Sequence, residues 1–196
     1  MSRNFRWSKF EGSRPFLQEE DKIYYWEFYD PVYLMGYTPA SSLICNLKKT
    51  PDDPHYQYRQ KSLREASGIL EWFLGRTNLS VITIVPIPRS NCVGSYDYNS
   101  LLAEILEGSS CSPDIQNLFC FKQLSEKTHY SSGPRDSQLI QANLSINEER
   151  LSICKNKIVL FDDVLTTGAH FAACKNLILS CRPEVTVYGL MLTVTR

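Results

Sequence analysis

Short apolar runs of strand length alternate along this chain with longer stretches whose apolar residues recur at helical spacing, and that alternation confines it to an α/β architecture. Ser80 to Val85 is a β-branched run closed by Pro86, too short for a helix and apolar enough to be buried on both faces. Leu118 to Phe121, Ile158 to Phe161 and Val185 to Leu192 read as further strands. Between Tyr58 and Leu74, the residues Leu63, Ala66, Ile69, Leu70 and Phe73 follow the three-and-four spacing of an amphipathic helix that Gly75 stops. Tyr98, Leu101, Leu102, Ile105 and Leu106 mark a second helix ending at Gly108, and about Ala169 to Ser180 a third. Strand and helix in alternation imply right-handed βαβ crossovers around a twisted parallel sheet flanked by helices. Ligands in such sheets bind at the carboxyl ends of the strands, so chemistry is expected in the loops after Val85 and Phe161.

Ahead of this alternation, Lys22 to Tyr29 is dense in aromatic residues. Tyr33 to Tyr37 and Ser42 to Leu47 continue in β-favouring residues, with Asp30-Pro31 and Thr38-Pro39 as turns. A small N-terminal β addition, a meander or hairpin over residues 1–45, is expected to join an α/β domain over residues 46–196 in one compact unit. The 21 basic and 21 acidic side chains cancel, which argues against nucleic acid and against an anionic membrane surface as partners, and makes any anion site local. The cluster Tyr24, Tyr25, Trp26, Phe28 and Tyr29 can stack on bases, but aromatics alternating along a strand more often form core plus interface. Charges interrupt every apolar pair in the first ten residues, so neither signal peptide nor membrane anchor is expected. Seven cysteines, odd in number and without metal-ligand spacing, read as the reduced thiols of a cytoplasmic protein.

The most chemically specific segment is Ile158 to His170. Four apolar residues run into Asp162 and Asp163, then Val164-Leu165, then Thr166-Thr167-Gly168, then a helix. Two hydroxyls, a glycine and the N–H groups of a helix start form a cradle for a phosphate, since the dipole favours negative charge and glycine admits close backbone approach. The adjacent carboxylates would repel a bare phosphate. They suit a sugar phosphate, because carboxylates accept hydrogen bonds from sugar hydroxyls and attract a divalent cation.

Here the sequence resembles the phosphoribosyl-pyrophosphate (PRPP) signature of type I phosphoribosyltransferases, over all of Ile158 to Ala169. The resemblance implies that Asp162 and Asp163 hold the ribose 2- and 3-hydroxyls and stand near a Mg²⁺ carried mainly by substrate oxygens. It implies also that Val164, Leu165, Thr166, Thr167 and Gly168 wrap the 5-phosphate. Purine-salvage members carry a third Asp where this chain has Thr166, which argues against hypoxanthine or guanine. A hydroxyl usually ends the motif, whereas this chain has His170, either a phosphate donor or a solvated helix residue.

Leu47-Lys48, then Val85-Pro86-Ile87-Pro88-Arg89, then Tyr96-Asp97-Tyr98-Asn99 before Leu101-Leu102-Ala103, are similar to the ComF-type branch of that superfamily, loosely from Leu43 to Thr195. By that resemblance Pro88, Arg89 and Ser90 contact pyrophosphate, Lys127 and Arg135 belong to a lid over the reacting ribose, and the aromatic N-terminal section is a hood or an interface, dimers being common in the family. This chain lacks the branch's N-terminal zinc ribbon and has Tyr96 and Asp97 where the branch has Arg-Gly. Two functions follow as expectations. One is a Mg²⁺-dependent transfer of a phosphoribosyl group from PRPP to an unknown acceptor, with release of pyrophosphate. The other is a catalytically silent module that senses PRPP or a related nucleotide, acting as a regulator or with protein partners in a DNA-uptake or anti-phage defence assembly.

Overall fold

Six strands build the central sheet of the computed structural model, which describes residues 7–30, 38–89, 93–96, 100–123 and 136–196. They are β1 (Ser8–Lys9), β2 (Lys22–Tyr29), β3 (Ile82–Pro86), β4 (Asp114–Ile115), β7 (Lys157–Leu165) and β8 (Thr186–Thr195). Their spatial order is β1-β2-β8-β7-β3-β4, and every pair is parallel except the two-residue β1 against β2. A second, antiparallel pair joins β5 (Phe119–Phe121) to β6 (Leu144–Ile146). The helices are α1 (Pro39–Leu47), α2 (Gln57–Leu74), α3 (Ser100–Glu107), α4 (Ser137–Asn143), α5 (Glu148–Ser152) and α6 (Ala169–Cys181). The chain is therefore α/β, with a mostly parallel six-stranded mixed sheet flanked by helices.

Apolar periodicity explains the layers. Leu63, Ala66, Ile69, Leu70 and Leu74 of α2 lie on one stripe and bury with Leu43, Ile44 and Leu47 of α1 and Leu101, Leu102, Ile105 and Leu106 of α3 against one face of the sheet. On the other face, Phe171, Ala173, Cys174 and Ile178 of α6 pack on Ile158, Leu160, Val187 and Met191. Full burial of a Leu or Ile contributes about 1.5–3 kcal/mol, so these two cores hold the sheet between its helices. No helix among the described residues is long and apolar enough to cross a membrane.

Three sequence expectations need correction. Ser42 to Leu47 is helical, because the Thr38 hydroxyl accepts from the Ser41 N–H (3.1 Å), Ser41 Oγ accepts from the Thr38 N–H (2.7 Å), and Pro39 starts the first turn. This capping box outweighs the β-favouring composition, and the boundary expected at residue 45 falls inside α1. The run Lys22–Tyr29, expected in an added meander or hairpin, is β2, which pairs antiparallel with β1 on one side and parallel with β8 on the other as an integral strand of the sheet, while Tyr33 to Tyr37 lie outside the described residues. The run Leu118 to Phe121 does not enter the main sheet. Thr83 Oγ1 donates to Asp114 Oδ2 (2.6 Å) and the Gln116 N–H donates to Ile84 O (3.0 Å), so the preceding residues take the edge of β3 first. Beyond the residues expected in a lid, α4 is capped by Asp136, whose side chain accepts from the Gln138 N–H (2.8 Å).

Candidate functional site

The two segments expected to carry chemistry follow neighbouring points on adjacent strands. β3 pairs with β7 so that Pro86 lies opposite Phe161, and the Ile87 N–H donates to the Phe161 carbonyl (2.8 Å). Pro88 is buried at that edge and Arg89 is exposed. Ser90, Lys127, Arg135 and Asp97 lie outside the described residues. Tyr96 sits half-buried beside Cys120, where burial and that thiol push its hydroxyl above its ordinary pKa.

β7 does not stop at Phe161 but continues through the acid pair to Leu165, pairing with β8 up to Val194. Within it the alternation of faces slips. Ile158 and Leu160 face the α6 core and Val159 and Phe161 the α1–α3 core, yet Val164 packs on the α1–α3 side and Leu165 on the α6 side. Strict two-residue alternation would put them the other way round. The same slip occurs in β8, where Leu190 and Leu192 face one core and Val194 the other, and the ladder skips Leu192 opposite both Asp163 and Trp26. The acid pair thus sits on a break in the pleat that crosses three strands.

That break gives the two carboxyls different surroundings. The Asp163 N–H donates to Asp162 Oδ1 (2.8 Å), and Asp163 Oδ2 faces Lys48 Nζ at 3.1 Å, from the residue that ends α1. Burial first, then the adjacent charge of Asp163, pushes the Asp162 carboxyl well above the ordinary carboxylate range, with Lys48 opposing. Cys174 of α6 lies close enough for the Asp162 charge to help raise its thiol, after the larger effect of burial.

Past the strand, Thr166 is exposed, Thr167 half-buried and Gly168 buried. Gly168 has φ +84°, the left-handed region, and precedes the first residue of α6. The Ala169 N–H donates weakly to Thr167 Oγ1 (3.4 Å) and the Ala172 N–H to Gly168 O (2.9 Å). The Thr167 and Gly168 N–H groups have no acceptor among the described residues. His170, in the first turn of α6, meets the edge of Phe121 with ring centroids 6.4 Å apart.

A stretch of the N-terminal section in which the sequence marks no individual strand or helix reaches this loop. The Phe16 N–H donates to Thr167 O (3.4 Å), and Leu17 lies where a Cβ on Gly168 would stand, 2.6 Å from its Cδ2. Lys175 of α6 fixes the same segment by donating to Asp21 Oδ1 (2.5 Å) and Gln18 Oε1 (2.9 Å). Contacts spanning some 150 positions leave no local signal, so periodicity and motif reading could not find them.

The structure therefore brings together Asp162, Asp163, Val164 and Leu165 at the end of β7, Thr166, Thr167 and Gly168 in the turn and His170 in the first turn of α6, with Pro88 and Arg89 on the neighbouring loop and Lys48 opposite Asp163. Two adjacent carboxyls, uncommitted amides and a left-handed glycine can hold a diol and an anion side by side. No cluster of three or more His, Cys, Asp or Glu able to hold a metal occurs among the described residues. Among the described residues a divalent cation here would have the acid pair and would need ligand oxygens to complete its shell. No family model matches this chain, and no curated protein matches it.

Proposed function

We propose that this chain is a type I phosphoribosyltransferase-like protein of the ComF-type branch that binds PRPP with Mg²⁺ and transfers its phosphoribosyl group to an acceptor. One observation carries the proposal. The segment from Asp162, within β7, to Gly168 and the loop at Pro88-Arg89 belong to adjacent parallel strands at one carboxyl edge, so that a ribose phosphate on the first would present its pyrophosphate toward the second. On this reading the amides of Thr167 and Gly168 and the Thr166 hydroxyl take the 5-phosphate, and Asp162 and Asp163 take the ribose hydroxyls. Arg89 meets the pyrophosphate, where a guanidinium pairs well with phosphate oxygens. The acceptor forms its bond to the anomeric carbon as the bond to pyrophosphate breaks, and the leaving group departs with the bonding pair. Such a step depends on positioning and charge stabilisation, with no protein nucleophile required. Mg²⁺ supplies charge neutralisation on the pyrophosphate, with the acid pair beside it.

A second reading, a PRPP-responsive module without turnover, is favoured by one specific feature. Asp162 is held in surroundings that favour its proton, and Asp163 is engaged by Lys48, so neither carboxylate is free for a ribose diol without rearrangement. Calorimetric titration with PRPP and Mg²⁺, paired with a pyrophosphate-release assay over a panel of nucleobases, separates the two. Binding with release supports transfer, and binding without release supports the responsive module. Absence of binding, with Asp162→Asn and Asp163→Asn indistinguishable from the parent chain, refutes both.

A further inference from the structure

We propose that the N-terminal strap Ser13–Asp21 is a positioning element of the site, with Leu17 holding the Thr166–Gly168 loop in its binding conformation and the Asp21–Lys175 pair acting as the latch. The inference rests on the reading of that loop as a phosphate cradle. The strap is folded on itself by turns, the Leu17 N–H donating to Arg14 O (3.2 Å) and the Asp21 N–H to Gln18 O (3.1 Å). Its first end is tied to the sheet by Arg14, whose Nη2 donates to the Thr195 carbonyl at the end of β8 and whose guanidinium lies 5.1 Å from the Phe10 ring. Its other end is tied to α6 by the ion pair between Lys175 and Asp21, whose side chains are 12% and 4% exposed. Removing either partner of so enclosed a pair leaves a charge without its counter-charge, so the latch resists opening.

Between these anchors the strap touches the loop in two places, the carbonyl of Thr167 and the Cα of Gly168. Neither contact uses the Thr167 or Gly168 N–H, and Thr166 stays exposed. A plug would cap the amides, whereas the strap makes no hydrogen bond to either N–H. Glycine is also the residue whose backbone has most freedom to lose, and a loop that must keep a left-handed glycine to aim its amides gains affinity when a neighbour restricts it beforehand. Leu17, packed from the strap onto both the α6 core and Gly168, supplies that restriction.

The full chain carrying Leu17→Ala, and separately Asp21→Asn with Lys175→Met, tests this by two measurements. Amide hydrogen exchange at Ala169 and Ala172, whose N–H groups donate to Thr167 Oγ1 and to the Gly168 carbonyl, needs no ligand and should speed up about tenfold, while exchange in β3 and β8 stays unchanged. Affinity for ribose 5-phosphate, measured calorimetrically, should fall about tenfold, the loss expected of a cradle no longer held in one conformation. Leu17→Met, which keeps the contact, should restore both. Unchanged loop exchange overturns the inference, as does faster exchange with undiminished affinity, and tighter binding by the strap variants would mean the strap is a plug. Failure of the parent chain itself to bind ribose 5-phosphate refutes the proposed function instead, and loop exchange then decides the strap's positioning role alone.

Discussion

Replacing Gly168 by alanine should cost the fold about 2–5 kcal/mol, in two parts that a double-mutant cycle can separate. The first part is the backbone. At φ +84° an L residue occupies the left-handed region, at a cost of about 1–2 kcal/mol. The second part is the collision. The new methyl would lie 2.6 Å from Leu17 Cδ2 and 2.8 Å from Leu17 Cγ, well inside the ~3.5 Å of ordinary carbon contact. Because Leu17 packs against the α6 core and cannot swing freely, overpacking should add about 1–3 kcal/mol. In a Leu17→Ala background the collision disappears and only the backbone part, about 1–2 kcal/mol, should remain. The cycle should therefore show a coupling of about 1–3 kcal/mol, with the double variant more stable than the sum of the singles predicts. Urea unfolding of the four proteins, followed by tryptophan fluorescence and far-ultraviolet circular dichroism, measures it. Strict additivity would refute the Leu17–Gly168 contact. A cost for Gly168→Ala alone of less than about 0.5 kcal/mol would refute the left-handed conformation as well.

Further outcomes follow from other parts of the structure. Burial and Asp163 raise the Asp162 carboxyl above its ordinary 3.8, so its contribution to stability is complete below that value and is lost as pH rises through the raised folded value. Asp162→Asn should remove that decline, seen as a flatter melting temperature as pH rises above the ordinary carboxylate range, and parallel curves for the two proteins would count against a raised Asp162. Lys48→Met should steepen the same decline, while costing about 1 kcal/mol or less at neutral pH because the lysine is 44% exposed. Thr83→Val should cost about 1–3 kcal/mol in urea unfolding, since it strands the Lys155 N–H that donates to Thr83 Oγ1 (3.0 Å) and removes the hydroxyl that donates to Asp114. Burial pushes the Cys154 thiol up to about 11, so at about pH 8 only about one molecule in a thousand is thiolate. Iodoacetamide followed by mass spectrometry should label exposed Cys181 before Cys154, and equal rates would show that Cys154 is not enclosed.

Much of the architecture was legible because its signals are local. The stripe Leu63, Ala66, Ile69, Leu70 closes a helical face within a few turns and foretold α2, ended by Gly75. The β-branched run before Pro86 foretold β3, and the passage from apolar residues to Thr-Thr-Gly foretold a strand and a helix start, though the strand runs on through Asp162-Asp163 to Leu165 instead of ending at Phe161. Where the sequence misled, a second interaction competed with composition. The capping box at Thr38 and Ser41 made a helix of β-favouring residues, and Asp114 reached the edge of β3 before Leu118 to Phe121 could.

What residue order fixed by itself, then, is the alternation of strands and helices and the chemical inventory of the Asp162–His170 loop, because periodicity and short motifs act between neighbours in the chain. Only the tertiary structure set that loop beside Pro88 and Arg89, moved Asp162 among groups that favour its proton, brought Lys48 to Asp163 and laid Leu17 on Gly168. Each of these depends on which surfaces lose water together, and desolvation is a property of the assembled layers that no stretch of sequence carries alone.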